Sequence, residues 1–370
     1  MAFDFSKITG AFSFGQKTEA GVVGIDIGSS SIKVVQLKKQ RGAATLETYG
    51  ELQLGPYANV EIGRATNLDQ KRLAEALVDI VREASVTTKQ AALGISYASS
   101  FVTVISFPSV DEGQLASMVP IEARKHVPVP INEVMLDWFV IPEPKGNADA
   151  PQAGRSGTRV LLAAIHNEAL AKMRSVTQNA ALVTSFVEIE VFSTIRSSVL
   201  EEDDVVVLLD IGAATSKMYV VAHGIVQKTH STTVGSQDIT LTLSKSLQLS
   251  VADAEELKRQ IGLLEVGNDP RIKQAINFSL ERILSDARRF IAMYESTSNT
   301  KISKVILTGG GVLLKGLPEQ AAAFLERTVA LADPFSKVQY PAFLEDTLKE
   351  AGPSFTVAVG VALRKLNEVS

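Results

Sequence analysis

The sequence predicts an α/β protein made of two related halves that face one another. Three observations carry that expectation. VVGIDIGSSSIKVVQL (22–37) and VVLLDIGAATSKMYVV (206–221) align without gaps at a separation of 184 residues. Each runs from four apolar residues into Asp-Ile-Gly, then small or hydroxyl residues, then a lysine and a second β-rich run, so a strand–turn–strand unit occurs twice. The third is KVILTGGGVLLKG (304–316), a strand ending on three glycines before a helical stretch.

The size of the chain suits this plan, since 370 residues exceed one simple core and predict two or three domains. Charged residues at 21% and hydrophobic ones at 45% describe a globular chain rather than a disordered one. A net charge of -4 gives no basic footprint for nucleic acid. The absence of cysteine excludes disulfides, thiolate metal sites and cysteine nucleophiles. His126, His166, His223 and His230 lack metal-ligand spacing, so a zinc enzyme is not expected. No window approaches the ~20 apolar residues that span a bilayer.

Along the chain, residues 1–19 read as a tail in which Phe3, Phe5, Phe12 and Phe14 pack on their own domain, or alternatively dock on a partner or membrane surface. Asn67 is the expected cap of a helix carrying Leu73, Leu77, Ile80, Val81 and Ala84 at helical spacing. Residues 91–181 form an expected α+β insertion, with strands at 91–97, 101–107, 134–141 and 159–165 and helices at 112–126 and 167–180. Pro120 is expected to bend the first of these helices. PEPKGNADAPQAGRSGT (142–158) has the composition of a flexible loop inside that unit. The first half then comprises 20–90 and 182–200, joined by a closing helix at 354–368, and the acidic run 201–204 marks the boundary. The second half, 202–353, includes a helical subdomain at about 237–301. There Ser250 and Asp253 form a capping box, and Gly262 ends that helix. Ile272, Ile276, Leu280, Ile283, Ala287, Ile291 and Tyr294 make one apolar stripe, and Pro318 opens a helix that runs to about 327.

The duplicated turns have residue types suited to an anion. Gly28 and Gly212 are expected to permit a turn that a Cβ would resist. Ser29, Ser30 and Ser31, like Ala213, Ala214 and Thr215, are small enough for backbone N–H groups to cradle a phosphate. Asp26 and Asp210 would repel a phosphate directly, so their expected task is to hold waters around a Mg²⁺ that bridges the phosphates. Lys33 is placed to reach the same phosphates, and Gly309, Gly310 and Gly311 let the backbone approach a base, ribose or α-phosphate. The glycine run fits neither GxGxxG nor GxxxxGK[ST].

Together these three segments resemble the phosphate 1, phosphate 2 and adenosine motifs of the actin-like ATPase superfamily, which includes actin, DnaK-type chaperones, sugar kinases and FtsA. The resemblance implies two RNase-H-like halves around a nucleotide cleft holding ATP and Mg²⁺, with a small α+β subdomain inserted in the first half as in FtsA. Asp26, Gly28, Ser29, Ser30 and Lys33 fall on the first motif, Asp210, Gly212 and Thr215 on the second, and Gly309, Gly310 and Gly311 on the third. Glu255 and Lys258 look like the helix pair that contacts adenosine in chaperone-type members.

Within the superfamily the chain is similar to the PilM family of type IV pilus assembly, through GIDIGSSSIKVVQLKK, the insertion-like IEARKHVPVPINEVMLDWFVI (121–141) and the closing FTVAVGVALR (355–364). That resemblance implies a cytoplasmic scaffold peripheral to the inner membrane, docking the N-terminal cytoplasmic peptide of a PilN-like membrane protein beside other pilus platform proteins. Self-association is a further expectation, and no nucleic acid is. FtsA carries a membrane-targeting helix beyond the closing helix, whereas this sequence stops at Ser370, which argues against FtsA itself. Active relatives use Gln, Glu or Asp to orient the attacking water, and the weak candidates here are Glu188 and Glu190. DIGAAT lacks an acidic residue that some hydrolytic relatives carry, so ATP binding is expected and hydrolysis is expected to be weak or absent. The alternatives are an active actin-like ATPase, a small-molecule kinase of this fold, an FtsA-like division protein, or a fold that has lost its ligand.

Overall fold

The computed structural model describes residues 21–108, 112–142, 157–200, 203, 205–264 and 269–368. The expected N-terminal tail, most of the 142–158 loop and most of the acidic boundary at 201–204 lie outside the described residues.

Two five-stranded sheets share one plan. The first contains β1 (Gly21–Ile27), β2 (Ser31–Gln40), β3 (Ala43–Gln53), β4 (Gln90–Ile95) and, later in the chain, β8 (Val183–Ile189), in spatial order β3-β2-β1-β4-β8. Helix α1 (Gln70–Glu83) connects β3 to β4. A three-stranded sheet intervenes, built from β5 (Ser100–Phe107), β6 (Val134–Val140) and β7 (Thr158–His166) with β7 central, and accompanied by α2 (Glu112–His126). Helix α3 (Asn167–Asn179) precedes β8, and α4 (Glu190–Ser198) follows it. The second sheet is β9 (Val205–Ile211), β10 (Ser216–Ala222), β11 (Ile225–Thr232), β12 (Lys304–Thr308) and β13 (Thr328–Leu331), in order β11-β10-β9-β12-β13. Its helices are α5 (Ser236–Leu247), α6 (Val251–Ile261), α7 (Pro270–Ser298), α8 (Leu317–Leu325) and α9 (Glu345–Ala351), and α10 (Thr356–Glu368) closes the chain. In both sheets the first strand is antiparallel to the second and parallel to the fourth. The sequence repeat is therefore a repeat of topology.

Local signals explain most boundaries. Ser250 Oγ accepts from the Asp253 N–H at 3.1 Å, and Gly262 ends α6 at φ +59°. The α7 stripe packs against Val207, Leu209, Met218 and Val220 on one face of the second sheet, with Ile276, Leu280, Ile283, Ala287 and Ile291 buried. Pro318 lies in the first turn of α8, and Pro120 lies inside α2. Two expectations are corrected. Asp69, not Asn67, caps α1, its carboxylate accepting from Arg72 N–H at 2.8 Å. The inserted unit is also narrower than 91–181, because β4 pairs with β1 and α3 packs on α1. A short continuous apolar run marks β4 as a buried strand without saying which sheet it joins.

The closing helix is the tightest joint. It lies between β1 and α4, and every residue from Thr356 to Arg364 is buried. A Cβ on Gly24 of β1 would come within 2.0 Å of the Ala358 carbonyl oxygen, and one on Gly360 within 2.0 Å of the Ser193 carbonyl oxygen. Glycine at these two points lets helix backbone meet strand and helix backbone directly. Among the described residues no helix is long and apolar enough to cross a membrane.

Helix propensity alone favours Ala over Gly by about 1 kcal/mol. The Ser193 contact predicts the reverse for Gly360→Ala, a loss of about 2 kcal/mol or more. Urea denaturation decides between them, and a more stable variant would contradict this packing.

Candidate functional site

The two Asp-Ile-Gly turns close in the same way. Gly28 N–H donates to Ser31 O at 3.0 Å, and Gly212 N–H to Thr215 O at 2.9 Å. Neither glycine has positive φ, and a Cβ would meet those carbonyls at 3.2 and 3.0 Å. The expected conformational need for glycine is therefore a milder steric one. The closing bonds leave the amides of Ser29, Ser30, Ala213 and Ala214 without a hydrogen-bond acceptor among the described residues. Both turns thus present N–H groups able to take an anion. The start of α5 is fastened to the second turn, with Ser236 N–H on Gly212 O at 2.8 Å and Gln237 N–H on Ala213 O at 3.0 Å.

Antiparallel register sets Asp26 opposite Lys33 and Asp210 opposite Lys217, but the two lysines diverge. Lys33 Nζ donates to Ser31 Oγ at 2.8 Å and pairs with Glu51 of β3 at 3.3 Å, so in this state it is turned along its own sheet. Lys217 Nζ pairs with Glu190 at 2.8 Å and with Asp210 at 3.3 Å. Burial opposes a charged Lys217, yet Glu190, Asp210 and Asp26 outweigh it and hold its pKa well above the ordinary value. Desolvation pushes Asp26 up to about 6, with Lys33 and Lys217 opposing and Glu190 and Asp210 reinforcing. Residues of both halves therefore act on one carboxyl, and the Lys217 bridge between Glu190 and Asp210 joins the two halves directly.

The two weak candidates for water positioning separate. Glu188 has its carboxylate engaged by the Arg196 guanidinium and by Ser193 Oγ at 2.6 Å, and Arg196 also donates to the Gly360 carbonyl at 2.9 Å. It braces α4 against α10. Glu190 belongs to the cleft cluster, where it holds Lys217 and accepts from Tyr97 N–H at 2.6 Å.

The glycine run also divides by task. Gly309 has φ +88°, and a Cβ there would lie 2.2 Å from Asp210 Oδ1. A Cβ on Gly311 would lie 2.5 Å from Ile211 Cγ2, whereas one on Gly310 would meet nothing within 4 Å. Two of the three glycines are thus demanded by β9, and Gly310 is the one with open space. Glu255 and Lys258 are both buried and pair with each other at 2.6 Å. Thr240 Oγ1 donates to Glu255 at 2.6 Å, and Lys258 donates to Thr240 Oγ1 at 2.9 Å. In the sequence Lys217 stood out only as a repeated lysine, and its partner Glu190, like the Tyr97 N–H that Glu190 accepts from, comes from a segment that carries no motif.

A family model described as type IV pilus assembly protein PilM matches residues 24–366. The solved structure of a PilM-PilN type IV pilus biogenesis complex has a chain similar to this one at a TM-score of 0.77 and 24% identity, over 95% of this chain and 99% of that one. MreB 5 of Spiroplasma citri bound to AMPPNP matches at a TM-score of 0.50 and 12% identity, over 95% and 97%. Cell division protein FtsA of Agrobacterium fabrum is 26% identical over 179 residues, spanning 42% of this chain and 39% of that relative's length. These likenesses establish the actin-like fold.

Removing the Lys217 ammonium would strand Glu190 and Asp210 as buried, unpaired charges. Lys217→Met is expected to lose about 3–5 kcal/mol of stability at pH 7. Adding Glu190→Gln should recover part of that loss. Denaturant titrations of the single and double variants measure both, and an undiminished Lys217→Met would contradict the paired cluster.

Proposed function

Because the chain belongs to the family of type IV pilus assembly protein PilM, we propose that it is an ATP-binding scaffold of the pilus inner-membrane platform, docking the N-terminal cytoplasmic peptide of a PilN-like protein. It would lie on the cytoplasmic face of the inner membrane through such partners. The nucleotide reading is supported by the pair of like turns, with uncommitted amides on each, and by the Lys217 ion pairs with Glu190 and Asp210 that join the two halves.

The donor set fits a hydrated Mg²⁺. Two aspartates face one cleft, and among the described residues no group of three Asp, Glu or His is poised to ligate a metal directly. Asp26 and Asp210 would hold the ion through water, and the bound ion would neutralise phosphate charge. The amides at 29–30 and 213–214 would take phosphate oxygens, and Gly310 offers the open approach on the adenosine side. Glu188 and Glu190 are both held by cations, which favours binding over turnover.

For the partner, β6 is an outer strand of the small sheet. It carries half-buried Met135, Trp138 and Phe139, and its Asp137 carboxyl is pushed up to about 6 by burial, with the Trp138 N–H as its one donor among the described residues. An extended peptide can add main-chain hydrogen bonds to such an edge, and a cationic residue on it would compensate Asp137. A cation favours the ionised carboxyl, so affinity is expected to fall as the pH drops through about 6.

Fluorescence anisotropy with a labelled PilN-like N-terminal peptide tests this reading, with and without ATP and Mg²⁺. Binding should weaken about tenfold in Asp137→Asn, as loss of one charge-assisted contact implies. Failure of such peptides to bind the wild-type protein would count against the scaffold reading.

A further inference from the structure

The segment between β3 and α1 is stitched to the first turn and to α5, the helix fastened to the second turn. Leu54 N–H donates to Ser30 O at 2.8 Å, while the N–H and Oγ1 of Thr66 both donate to Ser29 O, at 2.8 and 3.0 Å. On the other side Ala65 N–H donates to Gln237 Oε1 at 3.1 Å, in the first turn of the helix fastened to the second turn. Gly63, at φ +87°, lies so close to α6 that a Cβ would come within 2.6 Å of Glu255 Cδ. Residues 63, 65 and 66 are therefore fixed, respectively, by α6, by α5 and by the first turn.

Arg64 sits between these anchors. Its Nε is buried without a hydrogen-bond partner, and its side chain makes no ion pair or hydrogen bond among the described residues. A guanidinium is permanently charged and carries five donors, so a buried Nε with no acceptor is destabilising until an acceptor arrives. Glu255, the nearby carboxylate, is already taken by Lys258, Arg259 and Thr240. We propose that Arg64 is a phosphate ligand that this strap carries over the cleft, pairing with a phosphate oxygen of the nucleotide between the two turns. The strap's anchors place its backbone where the α5 end and the first turn meet, and the planar fork of arginine suits a phosphate better than a lysine does. The inference rests on the nucleotide reading above and adds to it a residue that none of the three motifs contains.

Titration calorimetry with adenosine, AMP, ADP and ATP tests it on the wild type, Arg64→Ala and Arg64→Lys. Arg64→Ala should weaken ADP and ATP by about tenfold or more, while adenosine affinity changes by less than about twofold. Arg64→Lys should retain part of the phosphate gain. The ligand-free melting temperature of Arg64→Ala should be no lower than that of the wild type, because the side chain has no partner to lose and its buried Nε lacks an acceptor. An Arg64→Ala protein with the wild-type dependence on phosphate number overturns the proposal. A wild-type protein that binds none of the four ligands overturns the nucleotide reading itself, and with it this one.

Discussion

The ammonium of Lys217, shared between Glu190 and Asp210, is the contact on which the cleft depends. Asp26 lies within reach of the same charges from the opposite half. Glu190 and Asp210, largely buried on the same ammonium, would repel one another and the nearby Asp26 charge without that cation. Lys217 supplies that cation from the chain itself, and through Glu190 and the Tyr97 N–H it also ties the second half to the entrance of the inserted unit. A change of charge in the cleft therefore acts on a joint between three parts of the molecule.

Duplication explains why the cluster can form, and divergence explains why it is asymmetric. Both halves present Asp opposite Lys across an antiparallel pair, which follows from a shared strand–turn–strand unit. Glu51 on β3 draws Lys33 away along the first sheet, whereas Glu190 draws Lys217 into the cleft. One lysine helps define a sheet and the other defines a site. The closing helix holds the arrangement steady, since its backbone abuts β1 and α4 so closely that glycine is required at Gly24 and Gly360.

Much of this was legible in the sequence because it is written in local patterns. The paired turns, the Ser250 cap and the α7 stripe depend on neighbours a few positions away, whereas the closing helix entered through the family resemblance. What escaped depends on tertiary proximity. No spacing rule says that Gly309 is glycine because Asp210 lies against it, or that Glu188 braces α10 while Glu190 enters the cleft. Asp69 replaced Asn67 as the cap because both are good capping residues two positions apart, and only the helix start decides between them. Arg64 lies in a loop with no periodicity, so its position over the cleft could not be read without the fold.

The proposed site holds one nucleotide between the two turns with residues of both halves. The direct measurement is the rise in melting temperature on adding ATP and Mg²⁺, compared in the wild type, Asp26→Ala and Asp210→Ala. Ligand binding to the native state predicts about 2.7 kcal/mol of added stability at a hundredfold excess over the dissociation constant. That rise is expected in the wild type, with the loss of most of it in each variant, one from each half. An equal rise in all three proteins would contradict it.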